Sequence, residues 1–295
     1  MTYIHFKSSG RLLISLLFLC FLLFSSAFSQ IYRSPSQALL SSPVEGTLHV
    51  VGVRVEFQPD DNRFTSGNGT FEPGSIPYLD NPGTTIDALP HNRQYFEAHL
   101  QFSKNYFNRM SDGALDIEYY VLPDILRLEQ EMAHYSPVGE DPDLSQLSEL
   151  TRDVWETVAD MNIQIPSVEA GDNIAFVIFH AGIGRDIELS GTTLDRTPQD
   201  IPSVYLGRQS LSNMLNDPSF SGFPIQNGDI LVTNSLIIPR TLSRSGEDIT
   251  GNRYVLPLSI NGMLTAQIGS HLGLPDLFNT ETGESGIGRF GLMDG

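Results

Sequence analysis

The chain reads as an α/β or α+β fold, a mixed sheet with packed helices, and three observations lead there. Two runs, 48–57 and 173–179, are dense in apolar and β-branched residues, as inner strands are. Three others, 91–110, 144–162 and 258–272, space their apolar residues at the helical period. Nothing between them has the composition of a linker, and no repeat or low-complexity tract follows residue 29, so one unit over 48–295 is expected.

Residues 1–29 are expected to be an export signal rather than part of the fold. Lys7 and Arg11 give a positive start, Leu12 to Phe24 is apolar except for Ser15, and Ala27 and Ser29 occupy small-residue cleavage positions ahead of Gln30. The run is short for a membrane span, an uncleaved anchor being the alternative, and no later segment approaches membrane length. The destination is therefore secreted, extracellular or cell-surface. Cys20, the only cysteine, lies in this run behind Phe18-Leu19, which are not the small residues of a lipoprotein signal. The mature chain then has no disulfide and must be held by its core, or by its core with bound ions. Residues 30–47, rich in Ser and Pro, read as a flexible lead-in.

The elements follow in order. Leu48 to Phe57 is an inner strand stopped by Pro59-Asp60-Asp61-Asn62, and 58–90 has the Gly, Asn, Pro and Asp content of a long surface loop. In 91–110, Tyr95, Phe96, Leu100, Phe102, Tyr106, Phe107 and Met110 form a broad aromatic face that Ser103 interrupts, and Ser111-Asp112-Gly113 ends the helix. Leu115, Ile117, Tyr119 and Val121 alternate with polar neighbours as a half-buried strand does. Leu147, Leu150, Val154, Val158 and Met161 mark the second helix, and Asn173 to Phe179 a central strand buried on both faces. Between 184 and 256 only short strands at 202–206 and 230–238 stand out.

Charge narrows the function classes. The net charge of −18 becomes about −20 once residues 1–29, with two basic and no acidic residues, are removed. Such a surface repels nucleic acid and anionic lipid. It serves solubility, and calcium in surface loops stays open beside that reading.

The last helix carries the chemistry. In 258–272, Met263, Leu264, Ile268 and Leu272 are spaced to pack inward, and Gly273 follows where a left-handed turn reverses the chain into Leu274-Pro275-Asp276. An HExxH helix presents two imidazoles four residues apart on one face, with a glutamate as general base. Counted in that frame, the slots here hold Ala266, Gln267 and Ser270, followed by Gly273 and Asp276.

The segment 269–278 (GSHLGLPDLF), followed by 285–295 (SGIGRFGLMDG), resembles the immune inhibitor A-like family of secreted metallopeptidases, whose fold is metzincin-like. There GLPDLY follows HExGH, and a GIG…SLM segment carries a methionine turn beneath the zinc. Tyr95 to Phe107, Ser111-Asp112-Gly113 and the strand after them are similar to the family's first helix and strand, and Phe179-His180-Ala181-Gly182 to its central strand end. The resemblance implies that Asp276 stands at the third-ligand position and Met293 at the methionine turn. It also implies a lobe after that turn, so with Gly295 two residues beyond Met293 the domain is expected to be incomplete at its C-terminus.

The matching positions depart where the metal would be held. Ala266 offers no donor, Ser270 is a poor neutral ligand, and Gln267 cannot take a proton from water. One carboxylate does not make a catalytic zinc site, which takes about three protein ligands. His271 lies about 100° around the helix from Ser270, so a register-shifted site and a helix-surface histidine are the two readings of it. His180 either lines a cleft or hydrogen-bonds locally. Asp60, Asp61 and Asn62 lack calcium-loop spacing and form either an ion site or a solvated turn. Gly182-Ile183-Gly184 is not a phosphate loop, Asn68-Gly69-Thr70 is a glycosylation sequon, and there is no Gly-x-Ser-x-Gly elbow. The expectation is a secreted, metallopeptidase-fold pseudopeptidase without cofactor, acting as a binding or structural module with a protein or peptide as its ligand. The rivals are an active zinc endopeptidase with atypical ligands and, from the acidic charge alone, a non-enzymatic adhesin or calcium-dependent matrix protein.

Overall fold

The computed structural model describes residues 45–80, 86–138, 144–166, 168–186, 197–279, 284–288 and 290–294; the expected export signal and nearly all of the lead-in lie outside them. Nine strands and four α-helices follow among these residues, besides three short 3-10 helices. They are β1 (Gly46–Glu56), α1 (Arg93–Met110), β2 (Leu115–Arg127), α2 (Ser145–Asp160), β3 (Ile174–Ile183), β4 (Val204–Leu206), α3 (Arg208–Met214), β5 (Phe223–Ile225), β6 (Ile230–Val232), β7 (Ser235–Thr241), β8 (Arg244–Glu247), β9 (Arg253–Leu256) and α4 (Asn261–His271).

Five strands form one mixed sheet in the order β2-β1-β3-β7-β4. The first four run parallel and β4 pairs antiparallel with β7 at the edge. Parallel neighbours need crossovers, and α1 and α2 supply them for β1–β2 and β2–β3. Because β2 and β3 flank β1 on opposite sides, right-handed crossovers put these helices on opposite faces. The side chains agree. Phe96, Leu100 and Phe107 of α1 and Leu264 and Ile268 of α4 share a cluster with Leu48, Val50, Val177 and Phe179. Leu147, Leu150, Val154 and Trp155 of α2 pack on Val51, Val53, Val55, Phe176 and Ile178, with the β5–β6 hairpin beside them. All ten residues of β3 are buried, which is why its sequence is apolar almost throughout. Among the described residues no helix is long and apolar enough to cross a membrane.

Local boundaries have identifiable causes. β1 starts at Gly46, within the expected lead-in, because the Gly46 amide donates to Ala114 O at 2.8 Å and the strand already pairs with Leu115. α1 starts at Arg93 because the Asn92 side chain accepts from the Tyr95 amide. Ser103 does not weaken α1: its hydroxyl is buried 2.9 Å from Thr265 Oγ1 on α4. β2 continues past Val121 to Arg127 across a register shift opposite Gly52–Arg54 that takes in Pro123. The predicted strand at 230–238 is two strands. Asn234 separates them, its side chain accepting from the Phe176 amide at 3.1 Å and donating to Ile174 O at 2.8 Å.

The loop expectation for 58–90 is corrected. Thr65, Ser66, Thr70, Ser75, Ile76, Leu79 and Asp87 are buried. Burying polar groups is costly unless they are paired, and here distant residues pair them. Ser66 gives its amide and hydroxyl to Asp200 at 2.6 and 2.7 Å. Arg240, 2 % exposed, donates to Thr70 O, Ser75 Oγ and His91 Nδ1. Asp87 accepts from Tyr95 and Thr241, and the His91 ring lies 3.1 Å from the same carboxylate. Burial pushes the Asp87 carboxyl up, but the His91 and Thr241 contacts outweigh it and hold the group below its ordinary value. The segment is thus bolted over the C-terminal ends of β1 and β7.

His180 is fully buried beside Phe57 and Met132, on the α2 side of the sheet. Its Nδ1 accepts from the Gly182 amide at 3.2 Å, and burial pushes the imidazole down to about 3. The unfolded chain, with an ordinary imidazole, therefore takes up this proton first as pH falls below about 6.5. Stability from this group is full above that pH and is lost as pH drops toward 3. Urea melts at pH 7 and pH 4 should show His180→Leu losing on the order of 3 kcal/mol less stability over that interval than wild type; equal losses would place the acid sensitivity elsewhere.

Candidate functional site

α4 buries one face and leaves another half-open. Leu264, Ile268 and, just past the helix, Leu272 enter the core, as their spacing predicts, with Met263 only half-buried. Two polar pairs tie α4 to α1: His99 Nδ1 lies 2.6 Å from Asn261 Oδ1, and Ser103 Oγ meets Thr265 Oγ1. Burial lowers the His99 imidazole, so it stays neutral at neutral pH. At the helix start, Ser259 Oγ accepts from the Asn261 amide at 3.2 Å.

Ala266, Gln267 and Ser270 are all half-buried. Ser270 turns its hydroxyl back to Ala266 O at 3.4 Å, one helical turn below. The Gln267 amide nitrogen lies 3.7 Å from Met263 Sδ, a soft contact that leaves the carboxamide oxygen uncommitted to that partner. This face carries a methyl, a carboxamide and a hydroxyl. It can hydrogen-bond, but it has no anionic or imidazole donor and no group that accepts a proton from water near neutral pH.

The helix stops as Gly273 permits. That glycine takes φ +83°, its amide donates to Ser270 O at 3.0 Å, and the Leu274 amide donates to Gly269 O at 2.9 Å. These two bonds satisfy carbonyls that the helix end leaves open. The chain reverses into Asp276, which is largely exposed, although enough protein surrounds its carboxyl for burial to raise it above the ordinary value.

Beneath α4 lies Met293, buried, with its sulfur 2.8 Å from where a Cβ on Gly269 would stand. Its carbonyl accepts from the Leu277 amide at 2.8 Å, which joins the chain after Asp276 to the turn that carries the methionine. Gly273, Asp276 and Met293 thus all belong to the region that closes the C-terminal end of α4.

His271 points elsewhere. Its Nε2 is 3.0 Å from Asn173 Oδ1 at the start of β3, and its ring stands edge-on to Tyr205 of β4. Burial pushes this imidazole down to about 4. His180 sits in the core on the far side of the sheet. Asp60 accepts from the Asn62 amide at 2.7 Å, and Asn62 donates to Gln199 Oε1 at 2.8 Å. Asn68 of the sequon accepts from the amide and hydroxyl of Thr70. Gly182 and Gly184 lie against Met132 and Leu242, where larger residues would not fit. Among the described residues no group of three or more His, Cys, Asp or Glu side chains is placed to hold a metal ion.

Sequence reading missed four participants. Asn261 and Thr265 were unremarkable polar residues in a helix, and Ser103 looked like a defect; only their pairing across α1 and α4 gives them a role. Asp294 has no role of its own in the sequence reading, although its carboxylate organises residues 285–287. No protein-family model matches the chain, and neither does any curated protein.

Two glycines in this region should respond in opposite ways. Gly262, in the first turn of α4, has open space where a Cβ would go, so Gly262→Ala should stabilise by about 0.5–1 kcal/mol. A Cβ on Gly286 would stand 2.1 Å from Leu277 O, a backbone atom, so Gly286→Ala should cost about 1–3 kcal/mol or more. Urea midpoints of the two variants test this, and a neutral Gly286→Ala would mean that residues 277 and 286 are not so close.

Proposed function

We propose that this chain is a secreted, metzincin-like protein of the immune inhibitor A-like kind that has lost peptide hydrolysis and acts as a binding or structural module for a protein or peptide. The observation that carries the reading is the helix face itself: Ala266, Gln267 and Ser270 stand where two imidazoles and a glutamate would be needed. A divalent zinc ion takes about three protein ligands in a catalytic site, and the one carboxylate in this frame, Asp276, falls short of that. The surrounding architecture supports the comparison. A helix ends in a glycine reversal, an aspartate follows on the returning chain, and a buried methionine packs under the helix.

Peptide binding rests on the edge of the sheet. β4 runs antiparallel at the rim, and Tyr205 within it meets His271 at the end of α4. Among the described residues nothing pairs with its outer side. An extended peptide can complete such an edge through main-chain bonds without any chemistry on the neighbouring helix. The acidic surface favours a neutral or basic partner over nucleic acid.

The reading separates into two measurable parts. Purified wild-type protein should carry no stoichiometric zinc by elemental analysis. The triple variant Ala266→His, Gln267→Glu, Ser270→His should bind zinc at about one per chain, because on this reading only the ligands and not the frame have been lost. Zinc-loaded wild type, or wild-type casein cleavage that is chelator-sensitive and abolished in Asp276→Ala, would establish the active zinc endopeptidase instead. A folded triple variant that binds no zinc would break the residue-by-residue match to the family.

A further inference from the structure

We propose that Asp294 is the positioning residue of the α4 face: its carboxylate fixes the turn that seats Met293 under Gly269. Asp294 is 1 % exposed, and three of its donors come from one short stretch of chain. Oδ2 accepts from Ser285 Oγ at 2.6 Å, and Oδ1 accepts from the Gly286 amide at 2.7 Å. The Ile287 amide lies 3.3 Å from both oxygens. A buried anion surrounded by two amides and a hydroxyl behaves as a cross-link, because leaving any of those groups unpaired in the interior is costly.

What it cross-links matters for α4. Residues 285–287 are themselves tied to the chain that leaves the helix: the Gly286 amide lies 2.9 Å from Leu277 O, and Phe278 pairs with Ser285 across an antiparallel bridge. Leu277 in turn donates to Met293 O at 2.8 Å. Asp294 therefore closes a ring of contacts, from the segment after Asp276 through 285–287 to the methionine turn and back. Its own amide donates to Gly291 O at 3.2 Å, which curls the turn just before it. With the backbone so held, the neighbouring Met293 side chain lies against the bare backbone of Gly269, which stands between Ala266 and Ser270 in sequence. Glycine at 269 and the carboxylate at 294 are two halves of one fit.

That Asp294 sets the Met293 seat rests on geometry alone. That the seat serves the 266/270 face rests on the proposed function, and the test separates the two. In wild-type background, the Met293 methyl signal in carbon–proton NMR and the exchange protection of α4 amides report the seat, while fluorescence of the buried Trp155 on the opposite side of the sheet reports the global fold. Asp294→Ala should move the methyl signal toward its unfolded position and lower α4 protection with Trp155 unchanged, and Asp294→Asn, which keeps acceptor oxygen, should restore part of both. If Asp294→Ala unfolds the protein, Ser285→Ala removes one donor and should shift the methyl signal in the same direction to a smaller extent. An unmoved Met293 signal in either folded variant overturns the proposal. In the triple variant rebuilt for metal, Asp294→Ala should further weaken cobalt(II) binding by about tenfold to a hundredfold and change its visible absorption, as loss of a supporting contact does. Unchanged affinity and spectrum there, with the methyl signal moved, would overturn the link to the α4 face while the seat itself stands.

Discussion

Ten consecutive buried residues in β3 impose the layering from which the rest follows. A strand with no solvent face must be covered on both sides, and parallel neighbours must be reached by crossovers. α1 and α2 meet both demands at once, one on each face. Once α1 lies beside the sheet on the Phe179 side, the space next to it admits one more helix, and α4 fills it. α4 is thereby fixed by apolar contact below and by two polar pairs to α1 alongside. Its remaining face, with Ala266, Gln267 and Ser270, is left as the one that chemistry would have to use.

That face combines a specific scaffold with unreactive side chains. The reversal at Gly273, the contact of Met293 with Gly269 and the ring of bonds around Asp294 are each demanding arrangements: a left-handed backbone, a missing Cβ, a fully paired buried carboxylate. They occur around three side chains that neither bind a divalent cation well nor move a proton near neutral pH. The nearest histidine does not repair this, since His271 is turned to Asn173 and Tyr205 and is held neutral by burial. On the proposed reading, a frame suited to positioning ligands has been kept for its shape, with β4 as the edge on which a partner would lie.

Legibility in the sequence followed burial. β1, β3, α1, α2 and α4 were readable because each spends a whole face, or two, in the core, so that period and composition repeat the structure. Even Ser103, which spoiled the pattern of α1, proves to be a helix–helix contact that spacing cannot express. β5, the β8–β9 hairpin and α3 were not readable, because three to seven residues are too few to carry a period. The 58–90 segment misled for a different reason: its composition is that of a solvated loop, and it is buried only because Arg240, Asp200 and Thr241, far along the chain, supply its partners. Gly273 could be placed because one backbone conformation needs a glycine. Asp294 could not, since an aspartate that binds three groups of a neighbouring turn leaves no repeat or spacing behind.

The chemistry of one helix face decides whether peptide hydrolysis has been lost. Anomalous scattering at the zinc edge, from crystals of the wild-type protein grown with excess zinc, reads that face atom by atom. The account predicts no zinc within bonding distance of Ser270, Asp276 or His271. A fully occupied zinc bridging any of these residues would show that the site is live and that the helix had been misread.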